Sequence, residues 1–204
     1  MAAGGVADAE LDAFLNAEAA EHRESFESCM AGLRAPFADM LALWEASIRR
    51  GGKLLIFGNG GSAGNAQHIS TELAVRYSRD RPAIAAVALA ADVSALTAAA
   101  NDMGFESVFS RQVQALGRPG DVAVGISTQG RSPNVLAALR EARARDLVTT
   151  GLTGGNGGPM RGLCDAAIVV PSGVTARIQE MHILVSHMLC KALEIRLGLA
   201  EPQP

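Results

Sequence analysis

The sequence predicts an α/β protein, a three-layer sandwich with a central parallel sheet of about five strands, preceded by N-terminal helices. Five short apolar runs, at 53–57, 84–89, 122–126, 147–152 and 167–170, show little alternation, as strands buried on both faces do. Helix-length segments lie between them, and strands alternating with helices build an open sheet covered on both sides. A composition of 49% hydrophobic and 19% charged residues excludes a disordered chain. A length of 204 residues allows one domain with a sizeable core.

The elements follow in order. Residues 8–50 read as helix, with Leu11, Phe14 and Leu15, then Phe26, Met30 and Leu33, at helical spacing. Pro36 is expected to break or kink this region into two helices. The second would carry Phe37, Met40, Leu41, Trp44 and Ile48 on one face and end at Gly51-Gly52. Further helices are predicted over 63–77, 106–116, 133–145 and 159–164, each between two strands, and a last one over 175–197. The domain division is a helical extension at 1–50, an α/β domain at 51–199 and a tail at 200–204.

Composition narrows the partners. Net charge is −3 and the basic residues are scattered; the densest run, from Arg140 to Arg145, reads as a solvated helix face. No basic patch speaks for direct nucleic-acid binding. Cys29, Cys164 and Cys190 lie far apart with no CxxC spacing, which fits free thiols in a reducing cytoplasm. The N-terminus shows no signal-peptide pattern. The most apolar stretch, 83–91, is far short of the roughly 20 residues a membrane helix needs, so no membrane association is expected.

In an open parallel sheet, ligands bind beyond the carboxyl ends of the strands, so the loops there are the first candidates for chemistry. Phe57-Gly58-Asn59-Gly60-Gly61-Ser62 follows the first strand and opens a helix. Glycines let backbone approach an anion, and a helix N-terminus offers unpaired N–H groups. The loop is neither GxGxxG nor Walker A, so nucleotide binding is not supported; a plain turn is the alternative. Ile126-Ser127-Thr128-Gln129-Gly130-Arg131-Ser132-Pro133 follows the third strand. Its three hydroxyls and its Pro at a helix start suit a phosphate monoester, with Arg131 an added cation; a capped helix start is the alternative. Leu152-Thr153-Gly154-Gly155-Asn156-Gly157-Gly158 lacks charge and reads as an ordinary turn.

His68 and Glu72 sit four apart, on one face of the helix after the first loop. Imidazole and carboxylate are ligands for Zn²⁺ or a similar divalent metal, although Glu72 could instead pair with Arg76. The last helix carries Gln179, Glu180, His182 and His187. Gln179 and His187 are eight apart and can share a side, and on spacing alone His182 competes with His187. The fourth histidine, His22, lies in the N-terminal helix, where no chemistry is expected.

Taken together, these motifs resemble the phosphoheptose isomerase family, which is built on a SIS domain. Gly58-Asn59-Gly60-Gly61-Ser62 with Ala66-Gln67-His68 and Glu72 is similar to its first loop and helix. Asn101-Asp102-Met103-Gly104-Phe105 with Val108-Phe109-Ser110-Arg111 resembles its next segment. Gly120-Asp121 leading to Gly125-Ile126-Ser127-Thr128 resembles its serine-rich loop, and Arg177-Ile178-Gln179-Glu180-Met181-His182 with His187 its last helix.

The resemblance covers 49–197 and implies a SIS-type fold, a homotetramer with active sites between subunits, and Zn²⁺ or a related metal. Carried over residue by residue, it implies His68, Glu72, Gln179 and His187 as metal ligands. It implies substrate contacts at Asn59, Gly60, Gly61, Glu72, Asn101, Asp102, Ser127, Thr128, Gln129, Ser132 and Gln179. The implied reaction converts sedoheptulose 7-phosphate to D-glycero-D-manno-heptose 7-phosphate through an enediol, with Glu72 and His187 as the catalytic acid and base. Three positions depart from the family pattern: Gln129 replaces the usual serine, Arg131 the usual asparagine, and Ala176 an acid that some members carry. Other stretches resemble a non-catalytic replication-initiator-associating protein of the same fold, and a sugar-phosphate sensor is a third reading. Glu72 together with His187 favours the enzyme.

Overall fold

The computed structural model describes residues 8–201. The N-terminal seven residues, and the part of the expected tail from 202 onward, lie outside the described residues.

Five parallel strands form one sheet in the order β2-β1-β3-β4-β5: β1 (Leu54–Gly58), β2 (Ala86–Ala88), β3 (Val122–Ser127), β4 (Val148–Gly154) and β5 (Ala166–Val170). Helices α1 (Asp8–Arg49), α2 (Gly61–Ala74) and α6 (Thr175–Arg196) cover one face. Helices α3 (Val93–Met103), α4 (Ser110–Leu116) and α5 (Pro133–Ala144) cover the other. β1 shows why the run reads as continuously apolar. Leu54 and Ile56 enter the first layer's core and Leu55 and Phe57 the second's, and all four are fully buried.

The elements depart from expectation in four places. Pro36 neither breaks nor ends the N-terminal helix, which runs unbroken from Asp8 to Arg49. Proline costs one backbone bond there, but Cys29 and Leu33 before it and Met40 and Trp44 after it are buried in one core, and packing on both sides holds the helix through the defect. Helix α3 was not predicted. Val93, Leu96, Ala100 and Met103 recur there at helical spacing among alanines, and Asp92 caps the helix by accepting from the Ala95 N–H at 2.9 Å. The segment expected as a helix at 159–164 is a 3₁₀ turn, Pro159–Leu163, and the 106–116 segment divides into a 3₁₀ turn, Phe105–Ser107, and α4.

The C-terminal half of α1 packs on the chain's own sheet. Trp44, the only tryptophan, is fully buried and donates from Nε1 to Thr150 Oγ1 of β4 at 3.1 Å. Its N-terminal half leaves Leu11, Phe14, Leu15 and Phe26 exposed. An ionic cluster ties this half to α6: Arg177 reaches Glu18 at 2.9 Å, and His22 Nδ1 lies 2.6 Å from Glu180.

Candidate active site

The strand order reverses between β1 and β3, and that switch point opens a crevice at the carboxyl ends of the strands. The two loops singled out above both emerge there and are joined. Asn59 and Asn134 exchange amide hydrogen bonds of 2.9 and 2.8 Å, which bind the β1 loop to the first turn of α5. Both amides are thus already engaged with one another.

The β3 loop brings two hydroxyls to the start of α5. Ser132 precedes Pro133 at the start of α5 but makes no side-chain capping bond. Its hydroxyl instead meets Ser127 Oγ at 3.0 Å. The capped-start alternative is therefore not what forms, and two hydroxyls sit together at a helix N-terminus. Gly130 turns the chain at φ 62°, and a Cβ there would run into the Gly157 carbonyl. The loop read as an ordinary turn adjoins this site. Gly154, Gly155 and Asn156 join Thr128, Gln129 and Arg131 around a cavity of about 430 Å³. The run of glycines after β4 was the available signal, and the lack of charge hid it.

His68, Glu72 and His187 come together on α2 and α6, with one ligand atom from each within 4.8 Å of the others. The Nε2 atoms of His68 and His187 are 2.6 Å apart, and Glu72 Oε1 is 3.6 Å from His68 Nε2. The Arg76 alternative does not form, since Arg76 pairs with Asp80. Tyr77, which the sequence reading did not single out, lies against the His187 ring at 5.8 Å between centroids. Two imidazoles and a carboxylate are the donor set a zinc-like ion takes, so these residues fit the implied metal. Cys190 is not among the residues whose ligand atoms converge there; burial, with the Glu72 and Glu194 carboxylates nearby, pushes its thiol up to about 12.

A buried clamp fixes this end of α2. Arg81 binds Glu194 of α6 at 2.7 Å and donates to the carbonyls of Glu72 and Leu73 at 2.7 and 2.6 Å. Carbonyls at a helix end lack partners within the helix, and Arg81 supplies them.

The remaining site residues sit apart. His182 is fully buried, with Nε2 3.0 Å from the Thr153 carbonyl, and takes no place beside His68. Gln179 lies against Gly61, where an added Cβ would come within 2.5 Å of its amide. Eight residues of helix rise about 12 Å, so one chain does not bring Gln179 to His187. Asn101 and Asp102 are exposed at the end of α3, in the other helical layer, and bond to each other at 2.7 Å.

The five-stranded parallel sheet with the loops at its strand tips defines a SIS-domain protein, and the SIS-domain family model matches residues 19–154. The chain is 54% identical over 181 residues to a phosphoheptose isomerase of Paramagnetospirillum magneticum, covering 89% of this chain and 94% of that protein. It is 56% identical over 162 residues to phosphoheptose isomerase 1 of Campylobacter jejuni, covering 79% and 87%. The solved phosphoheptose isomerase of Neisseria gonorrhoeae superposes with a TM-score of 0.85 at 42% identity, over 90% of this chain and 98% of that one. The chain belongs to the phosphoheptose isomerase family and is an enzyme of the sugar-phosphate isomerase class. Among the described residues, no helix is long and apolar enough to cross a membrane.

Proposed function

We propose that the chain converts sedoheptulose 7-phosphate to D-glycero-D-manno-heptose 7-phosphate through an enediol(ate), with Zn²⁺ or another divalent metal as cofactor. The observation that carries this is the convergence of His68, Glu72 and His187 from two helices, in a chain more than half identical to proteins named phosphoheptose isomerase. A bound metal would polarise the substrate carbonyl and stabilise negative charge on its oxygen.

Glu72 and His187 move the proton between C1 and C2, one as base and the other as acid. Ser127, Thr128, Gln129 and Ser132 hold the phosphate, and Arg131 adds a cation where the family loop has none. Anchoring the far end of the substrate aligns its reacting end, which is where positioning lowers the barrier. Asn59, Gly60 and Gly61 form the wall at the head of α2. Gln179, Asn101 and Asp102 are assigned to the same site across contacts between copies, because about 12 Å of helix rise separates Gln179 from His187 and Asn101 and Asp102 end α3 in the other helical layer. A homotetramer with shared sites accounts for that separation.

The test is turnover of sedoheptulose 7-phosphate by the Zn²⁺-loaded protein, read by product NMR beside His187→Ala. Formation of the aldose phosphate by the wild type and its loss in the variant are expected. No turnover by metal-loaded wild type overturns the assignment.

A further inference from the structure

Gly61, Ser62 and Asn65 at the head of α2, with Gln179, His182 and Ile183 of α6, line a cavity of about 110 Å³. That volume admits small polar groups. Two of the lining residues carry a buried atom with no hydrogen-bond partner, Asn65 Oδ1 and His182 Nδ1. Asn65 is 4% exposed and His182 1%. Buried polar atoms are otherwise nearly always paired, so these two point to a ligand.

Their neighbours fix both atoms as acceptors. The Thr153 carbonyl can only accept, so His182 carries its proton on Nε2 and turns a lone pair out on Nδ1. Burial lowers the His182 pKa to about 4, so the ring remains a neutral acceptor near pH 7. Ser186 Oγ gives its one proton to the His182 carbonyl at 2.6 Å. It can therefore only accept from Asn65, at 3.3 Å. This puts the Asn65 nitrogen on Ser186 and leaves its oxygen unpaired.

Two fixed acceptors require donors. A phosphate group, which needs donors itself, would be repelled. A divalent cation would find no carboxylate in this wall. Neutral O–H groups satisfy both atoms. We propose that Asn65 and His182 form a hydroxyl-recognition subsite that accepts hydrogen bonds from the polyol chain of the sugar phosphate and so contributes to substrate choice. The proposal rests on the isomerase reading. It adds two residues that reading does not use, in the same wall as Gly61 and Gln179.

The first test uses wild-type protein labelled with ¹⁵N-histidine, and needs binding, not turnover. On adding sedoheptulose 7-phosphate, the His182 Nδ1 resonance should move upfield, as it does when a lone pair accepts a hydrogen bond. Inorganic phosphate should leave it in place. The second compares kcat/KM for the parent substrate and its single-deoxy analogues in wild type and Asn65→Leu. A site that bonds a hydroxyl rejects the analogue lacking it, so at least one analogue should lose about 100-fold in wild type and far less in the variant. Substrate binding that leaves the His182 resonance unmoved, or equal discrimination in both proteins, means that Asn65 and His182 hold structural water only, and overturns the proposal alone. Absence of any sugar-phosphate binding overturns it together with the isomerase reading. If Asn65→Leu does not fold, the resonance decides.

Discussion

His68 and His187, 119 residues apart in sequence, face each other with ring nitrogens 2.6 Å apart. One ring must donate and the other accept, unless both lone pairs are turned to a shared cation. Glu72, four residues after His68, brings a carboxylate to the same point. The pairing depends on α2 and α6 running side by side. The Asn65–Ser186 hydrogen bond near the head of α2 and the Arg81–Glu194 clamp beyond its other end hold them so.

Removing these groups should separate binding from chemistry. His187→Ala is expected to lose tightly bound metal, measured by elemental analysis after dialysis. Glu72→Gln keeps the shape of the side chain and removes its basicity. Its kcat should fall by about 10²–10⁴, the usual contribution of a positioned acid or base. Retention of full kcat by Glu72→Gln would remove it from the chemistry.

Ser132→Ala should weaken phosphate affinity without weakening the fold. Hydrogen bonds to a charged group contribute about 1.5–3 kcal/mol, so inorganic phosphate should bind roughly ten-fold or more weakly by calorimetry. Ser132 makes no capping bond to α5, so Tm should stay close to that of the wild type. A large drop in Tm with unchanged phosphate affinity would show that the hydroxyl serves the helix.

Glu194→Gln leaves Arg81 buried without its counter-charge, both side chains being 1% exposed. Breaking one partner of a buried pair costs about 3–5 kcal/mol, which urea denaturation will register. Arg81 also holds the Glu72 carbonyl, so metal affinity should fall in this variant while phosphate affinity is retained.

The buried His182 predicts a pH dependence of stability. Burial lowers its pKa to about 4 from 6.5, so the unfolded chain binds a proton more readily than the native one. Stability from this group is complete above about pH 6.5 and is lost as pH falls toward 4. Its contribution is roughly 3 kcal/mol at most. Urea midpoints at pH 5 and pH 7.5 should therefore differ more for the wild type than for His182→Gln.

Most of the fold was legible because five apolar runs can be recognised one at a time, as Leu54 to Phe57 show by filling both cores. The long first helix was misread at Pro36, since local chemistry argues for a break and only burial on both sides of it argues against. Helix α3 escaped because its stripe of Val93, Leu96, Ala100 and Met103 is diluted by alanines on every side. Within the site, the spacing of His68 and Glu72 was readable from one helix. The choice between His182 and His187 was not, because each lies within about 80° of Gln179 around α6, on opposite flanks of it. The contact between α2 and α6 distinguishes them: His187 meets His68, and His182 turns to the Thr153 carbonyl. The distance of Gln179 from His187 was also hidden, since eight residues put two side chains on one side without bringing them to one point.

A single indole, sealed between the long first helix and the fourth strand, makes the molecule its own fluorophore. Because Trp44 lies in the core formed by α1 and the sheet and its N–H is held by Thr150, its emission should be blue-shifted in the native state. A red shift would report the first helix peeling from the sheet. Titrating ligand while watching that signal would distinguish events at the strand tips from loosening of the scaffold beneath them, with no label added.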